Sequence, residues 1–192
     1  MKTPSLFLVA FLLAGCASRG APPIDTYDFG IAGATSAPAE QDVFLADVRA
    51  ADWLNTTNML YRLEYRNPLV LSTYSASRWA GTPAAMLTLR MRQSVGNGAS
   101  TRGRQTKCTL SLFLSEFSQV FANDRDSRAV MHLRATLTPV AAGEPVLVRE
   151  FRIERTAPTP NAAGEAAAFA DVATALSEKL NGWIGEAGIC KN

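Results

Sequence analysis

The chain has 192 residues, of which 47% are hydrophobic, with 19 Lys and Arg against 17 Asp and Glu, for a formal charge of +2. That length suits one domain with a real core, and so balanced a charge excludes both a basic nucleic-acid footprint and an acidic tail. With one histidine and three cysteines far apart in the chain, no tetrahedral metal set is available at any usual spacing.

Met1-Lys2 leads into an unbroken apolar run, Leu6 to Leu13, that stops at Ala14-Gly15-Cys16. Roughly ten apolar residues are half of a membrane span and fit the core of a secretory signal that is later removed. An ordinary signal with an incidental cysteine is one reading. The other is that "LAGC", Leu13 to Cys16, resembles the bacterial lipobox, in which the cysteine is acylated before the cut. Residues 1–15 are then a lipoprotein signal peptide and Cys16 is the lipid attachment site. More than one acyl chain of the palmitate kind, at about 0.8 kcal/mol per buried methylene, makes such an anchor stable. Ala17 after the cysteine, where an Asp marks inner-membrane retention in enterobacterial lipoproteins, points to the outer membrane. Residues 16–25, "CASRGAPPID", have no apolar periodicity and read as a tether that reaches about 30 Å.

Residues 26–192 read as a single domain. "TYDFGI", Thr26 to Ile31, alternates as a first strand. "DVFLADVRA", Asp42 to Ala50, reads as a second strand, and "MLYRLEY", Met59 to Tyr65, as its hairpin partner. Asn67 to Gly81, with Pro68 near its start, reads as an irregular loop. Thr82-Pro83 is an N-cap followed by proline at the first helical position, and a helix with Ala84, Leu87, Met91 and Val95 on one stripe runs to Gly96 and Gly98. After a basic turn, Ser100 to Lys107, come three strands in a meander. The first, Cys108 to Phe121, shifts phase between Leu114 and Phe117 as a bulge does. The second buries Met131, Leu133, Ala135 and Leu137, and the third Leu147, Phe151 and Ile153. Phe169, Val172, Leu176, Leu180 and Trp183 then mark a long Ala-rich helix. The fold class is α+β: a mostly antiparallel sheet with two helices packed on one face.

Signals for chemistry are sparse. His132 lies on the polar face of its strand with no G-x-S-x-G around any serine, and no phosphate-binding glycine loop opens a helix. The pairs Asp124/Asp126 and Glu150/Glu154 read as solvated faces. Arg102, Arg104 and Lys107 in the basic turn meet headgroups or an acidic partner, or are a soluble loop. No cofactor is expected. Cys108 and Cys190 either pair in an oxidising compartment, closing a loop of about 80 residues worth on the order of 4 kcal/mol, or remain a core residue and a loose tail thiol. Tyr74, Arg78 and Trp79 gather before the capped helix. Trp, Tyr and Arg dominate interfaces, so these three are the candidate partner or self contact. The competing reading has Trp79 stapling the loop to the core.

"MLYRLEY", "LSTYSASRWAGTPAAMLTLRMRQ" and "LSEFSQVF" resemble the ABC-type transport auxiliary lipoproteins of the PqiC/YmbA-like kind. The likeness runs from the Tyr27 strand to the last helix, and Tyr74 followed by Ser77-Arg78-Trp79, the proline-started helix and Arg92-Gln93 is its most specific part. The resemblance implies a non-enzymatic, outer-membrane lipoprotein facing the periplasm. Its partners are then an MCE-domain protein and an inner-membrane permease system that move lipids between membranes, and it self-assembles as a homo-oligomer. A different class of function is a lipid-binding carrier that holds an acyl chain between helix and sheet.

Overall fold

The computed structural model describes residues 23–31, 42–95, 106–141, 143 and 146–190. The lipobox, Cys16, most of the tether, Gly96, Gly98, Arg102 and Arg104 lie outside these residues.

The frame is the meander. β6 (Cys108–Phe121) and β7 (Ser127–Pro139) pair antiparallel along their whole length, and β7 pairs the same way with β8 (Leu147–Thr156). Alternation drives this, because Cys108, Leu110, Leu112 and Leu114 are buried on one face while Phe113 between them is exposed. The register of β6 against β7 slips between Leu114 and Glu116, and the extra residue restores Phe117 to the inner face. The tight turn after β6 is closed by Asn123, whose Oδ1 accepts from the backbone N–H of both Arg125 and Asp126 at 2.9 Å.

The other edge of β6 corrects two expectations. Asp42 to Ala50 is not one strand but two short ones, β2 (Val43–Leu45) and β3 (Arg49–Ala50), and both run parallel to β6. The break has a local cause: Val48 N–H turns away from the ladder and donates to Thr88 Oγ1 at 2.9 Å. Nor does this segment form a hairpin with Met59 to Tyr65. β4 (Asn58–Leu63) continues along the same edge of β6 in parallel, opposite Gln119 to Phe121. Between them a single 3-10 turn, Asp52–Leu54, buries Leu54.

Asn67 to Gly81 is likewise not an irregular loop. Its second half is β5 (Ser72–Trp79), antiparallel to β4, with β1 (Asp25–Tyr27) parallel on its far side. Serine, threonine and alanine at its alternate positions leave too little hydrophobic contrast for periodicity to reveal a strand. β1 itself stops short of the expected Ile31, because Asp28 Oδ1 accepts from Gly30 N–H at 2.7 Å and Gly30 takes φ 66°.

The sheet has eight strands among the described residues, in the order β1-β5-β4-β6-β7-β8, with β2 and β3 also on β6. It is mixed, not purely antiparallel: the long ladders β6–β7 and β7–β8 and the β4–β5 pair are antiparallel, as expected, while β1 on β5 and β2, β3 and β4 on β6 are short parallel pairings. Alternation reports which residues face the core but not which way a neighbouring strand runs.

Both helices form where the sequence places them. In α1 (Pro83–Ser94) Thr82 caps the start, accepting from Ala85 N–H at 3.3 Å, and Leu87, Met91 and the following Val95 are buried. In α2 (Ala162–Ala187) Asn161 caps by accepting from Gly164 N–H at 2.9 Å, and Gly188 ends the helix in the left-handed region. Phe169, Val172, Leu176, Leu180 and Trp183 all face inward. The helices touch through Ser94 and Ser177, whose hydroxyls lie 2.8 Å apart. They share one core with the inner face of the sheet.

Candidate functional site

β5 carries the three residues singled out as a contact cluster, and strand geometry sends them to different places. Trp79 is 1% exposed and meets Phe29, Phe117 and Phe169 edge-on at 5.8 to 5.9 Å, with Phe117 and Phe169 stacked at 3.7 Å. Of the two readings of Trp79, this burial matches the staple. Its ring is withdrawn from any partner surface. Arg78 stays exposed, its Nε 3.4 Å from Thr26 Oγ1 across the β1 pairing.

Tyr74 is half-buried and begins a polar chain inside the core. Its hydroxyl donates to Gln119 Oε1 at 2.6 Å, and Gln119 Nε2 donates to Ser127 Oγ at 2.7 Å. Its ring lies 4.9 Å from that of Tyr61. Burial above all, then the nearby Glu165 carboxyl and Tyr61, pushes the Tyr74 phenol well above its usual range, so it stays a proton donor. Glu165, on the first turns of α2, is fully buried, and neither carboxyl oxygen has a hydrogen-bond partner among the described residues. Desolvation raises its pKa well above the carboxylate range, which keeps it neutral. The sequence reading missed this residue. A signal was present, because Glu165 stands four positions before Phe169 on the buried stripe.

The open face of the sheet carries charge ladders. Arg62 pairs with Glu116 at 3.1 Å, and Arg128 bridges Glu64 and Glu154. His132 Nε2 lies 3.2 Å from Glu150 Oε2, and Ser115 Oγ lies 3.3 Å from His132 Nδ1. This line of Ser, His and Glu is not arranged as an activated nucleophile. The Ser115 hydroxyl is also within donating distance of the His132 backbone carbonyl at 3.1 Å, and Arg134 takes the other Glu150 oxygen at 2.6 Å. Arg152 and Arg128 hold the Glu154 carboxyl below its usual range, as expected of a solvated ladder.

Cys108 and Cys190 are joined by a disulfide that ties β6 to the end of the chain. Both sulfur-bearing residues are fully buried. Among the described residues, no group of three or more His, Cys, Asp or Glu is placed to hold a metal ion. None of their helices is long and apolar enough to cross a membrane.

Two open grooves flank α1, of about 610 and 470 Å³, and Leu89 lines both. The layer beneath α2 is instead filled by the Trp79, Phe117 and Phe169 rings.

Residues 28–181 match the family model described as ABC-type transport auxiliary lipoprotein component. The chain belongs to this family of auxiliary lipoproteins. Among solved structures, a protein from Xanthomonas campestris is similar in fold, with a TM-score of 0.68 at 22% identity, over 85% of this chain and 97% of that one. A second, uncharacterized protein gives a TM-score of 0.64 at 12% identity, over 84% and 99%. At these identities the likeness is one of fold. No curated protein matches the sequence.

Proposed function

We propose that this auxiliary lipoprotein is a non-enzymatic adaptor of an intermembrane lipid transport system. It is anchored in the outer membrane through Cys16 and docks an MCE-domain protein that works with an inner-membrane ABC-type permease. The observation that carries the reading is the family match across residues 28–181 in a chain whose first apolar run ends in Leu13-Ala14-Gly15-Cys16. On this reading residues 1–15 are removed, the tether sets the height of the domain above the bilayer, and the domain self-associates. Energy for transport comes from the partner.

The experiment is to express the full chain in a diderm bacterium, measure its mass and separate the membranes. Acylated Cys16 and recovery in the outer membrane support the anchor, while an unmodified Cys16 or recovery in the cytosol overturns it. Cross-linking in the same cells tests the adaptor role, which requires an MCE-domain protein among the partners. The carrier reading draws less support, since aromatic rings occupy the space between α2 and the sheet. A phospholipid that co-purifies with a monomer would restore it.

A further inference from the structure

α1 buries Leu87 and Met91 but leaves Leu89 64% exposed, on the wall between the two grooves. The smaller groove also holds Ile31, which is fully exposed, and Arg90. The larger holds Arg49 and Arg92. Arg92 is neutralised by Asp47 at 2.5 Å, whereas neither Arg49 nor Arg90 has an ion-pair partner among the described residues. Asp28, the remaining acid at the grooves, is turned onto its own Gly30 N–H. Arg49, Arg90 and Arg92 against Asp28 and Asp47 leave the two grooves with a net positive charge, and the face offers aliphatic tips flanked by two guanidinium groups without an ion pair among the described residues.

Its place in the chain says what covers it. The described chain begins at Pro23, Ile24 is 52% exposed, and β1 leads directly into Phe29 to Ile31 on the groove. Cys16 stands seven residues before Pro23, a stretch that spans at most about 25 Å. An anchor at Cys16 holds this face within reach of the bilayer, and tethering raises its local concentration enough for a small contact to matter. Exposed aliphatic side chains beside unpaired basic ones are what an anionic interface takes up.

We propose that the face around Leu89, with Ile31, Arg49 and Arg90, lies against the anionic phospholipid surface of the membrane that holds Cys16. The contact rests on the lipoprotein reading of Cys16 and adds a fixed orientation to it: the domain sits with α1 toward the lipid.

The test uses the full chain with its native anchor, carrying Leu89→Cys labelled with a polarity-sensitive fluorophore. The Cys108–Cys190 bond and the acylated Cys16 leave that thiol as the reactive one. Gln93→Cys, on the same groove, is a second label site should the first disturb α1, and Glu178→Cys, exposed on α2, is the control. On vesicles of phosphatidylcholine with phosphatidylglycerol, the label on α1 brightens by about twofold or more and the control does not. Arg49→Glu with Arg90→Glu, or vesicles of phosphatidylcholine alone, removes the difference. An anchored chain whose α1 and α2 labels respond alike on both vesicles overturns the contact and leaves the face to a protein partner. A mass measurement on the same sample reads the anchor separately. Were Cys16 unmodified, the contact would fall together with the anchor on which it rests.

Discussion

Glu165 has no hydrogen-bond partner for its carboxyl among the described residues and lies close enough to Tyr74 to act on its phenol electrostatically. Its pKa is raised in the folded state, so the unfolded chain gives up the proton first as pH rises. Stability is therefore whole below the ordinary carboxylate value and falls above it, by about 1.4 kcal/mol per pH unit, until the folded pKa is passed. Glu165→Gln removes this slope. Urea unfolding at pH 5 and pH 8 should show the variant gaining on the parent at the higher pH; parallel curves would mean the carboxylate is solvated. Trp79 makes the complementary case. With its ring closed in by Phe29, Phe117 and Phe169, Trp79→Ala should cost about 3–5 kcal/mol in the same measurement. Unchanged stability with lost self-association would return Trp79 to the interface.

Two glycines in α2 read alike as sequence and differ in the fold. A Cβ at Gly164 would stand 1.9 Å from the carbonyl oxygen of Thr159, whereas one at Gly182 meets nothing within 4 Å. Alanine is favoured over glycine in a helix by about 1 kcal/mol. Gly182→Ala should therefore raise the melting temperature. Gly164→Ala should lower it, because overpacking against backbone costs about 1–3 kcal/mol and outweighs that gain. Thermal unfolding of the two single variants decides it, and an equal effect would remove the close approach. β5 shows the same limit on reading elements. The helices were legible because the Thr82-Pro83 start of α1 and the apolar stripes of both helices are strong local signals. β5 was not, since its burial comes from β1 and β4 on either side and not from contrast within "STYSASRW".

Across the whole molecule, the disulfide is the longest covalent constraint, joining cysteines 82 positions apart in the chain. Replacing both by serine should cost on the order of 4 kcal/mol, read as a lower midpoint in denaturant, if the loss comes from loop entropy in the unfolded chain. A midpoint that does not move would assign the tail no such role. Local chemistry in the sequence was enough to determine the two helices, the meander with its bulge, and the inward-facing set on β6, β7 and β8. Each depends on neighbours a few residues apart. Tertiary structure alone decided that β2, β3 and β4 share one edge of β6 in parallel, that Trp79 belongs to the core, that Glu165 is stranded there, and that Leu89 and Ile31 meet on an open groove. Those outcomes depend on which distant segments pack together, and no periodicity within a segment encodes the direction or identity of its neighbour.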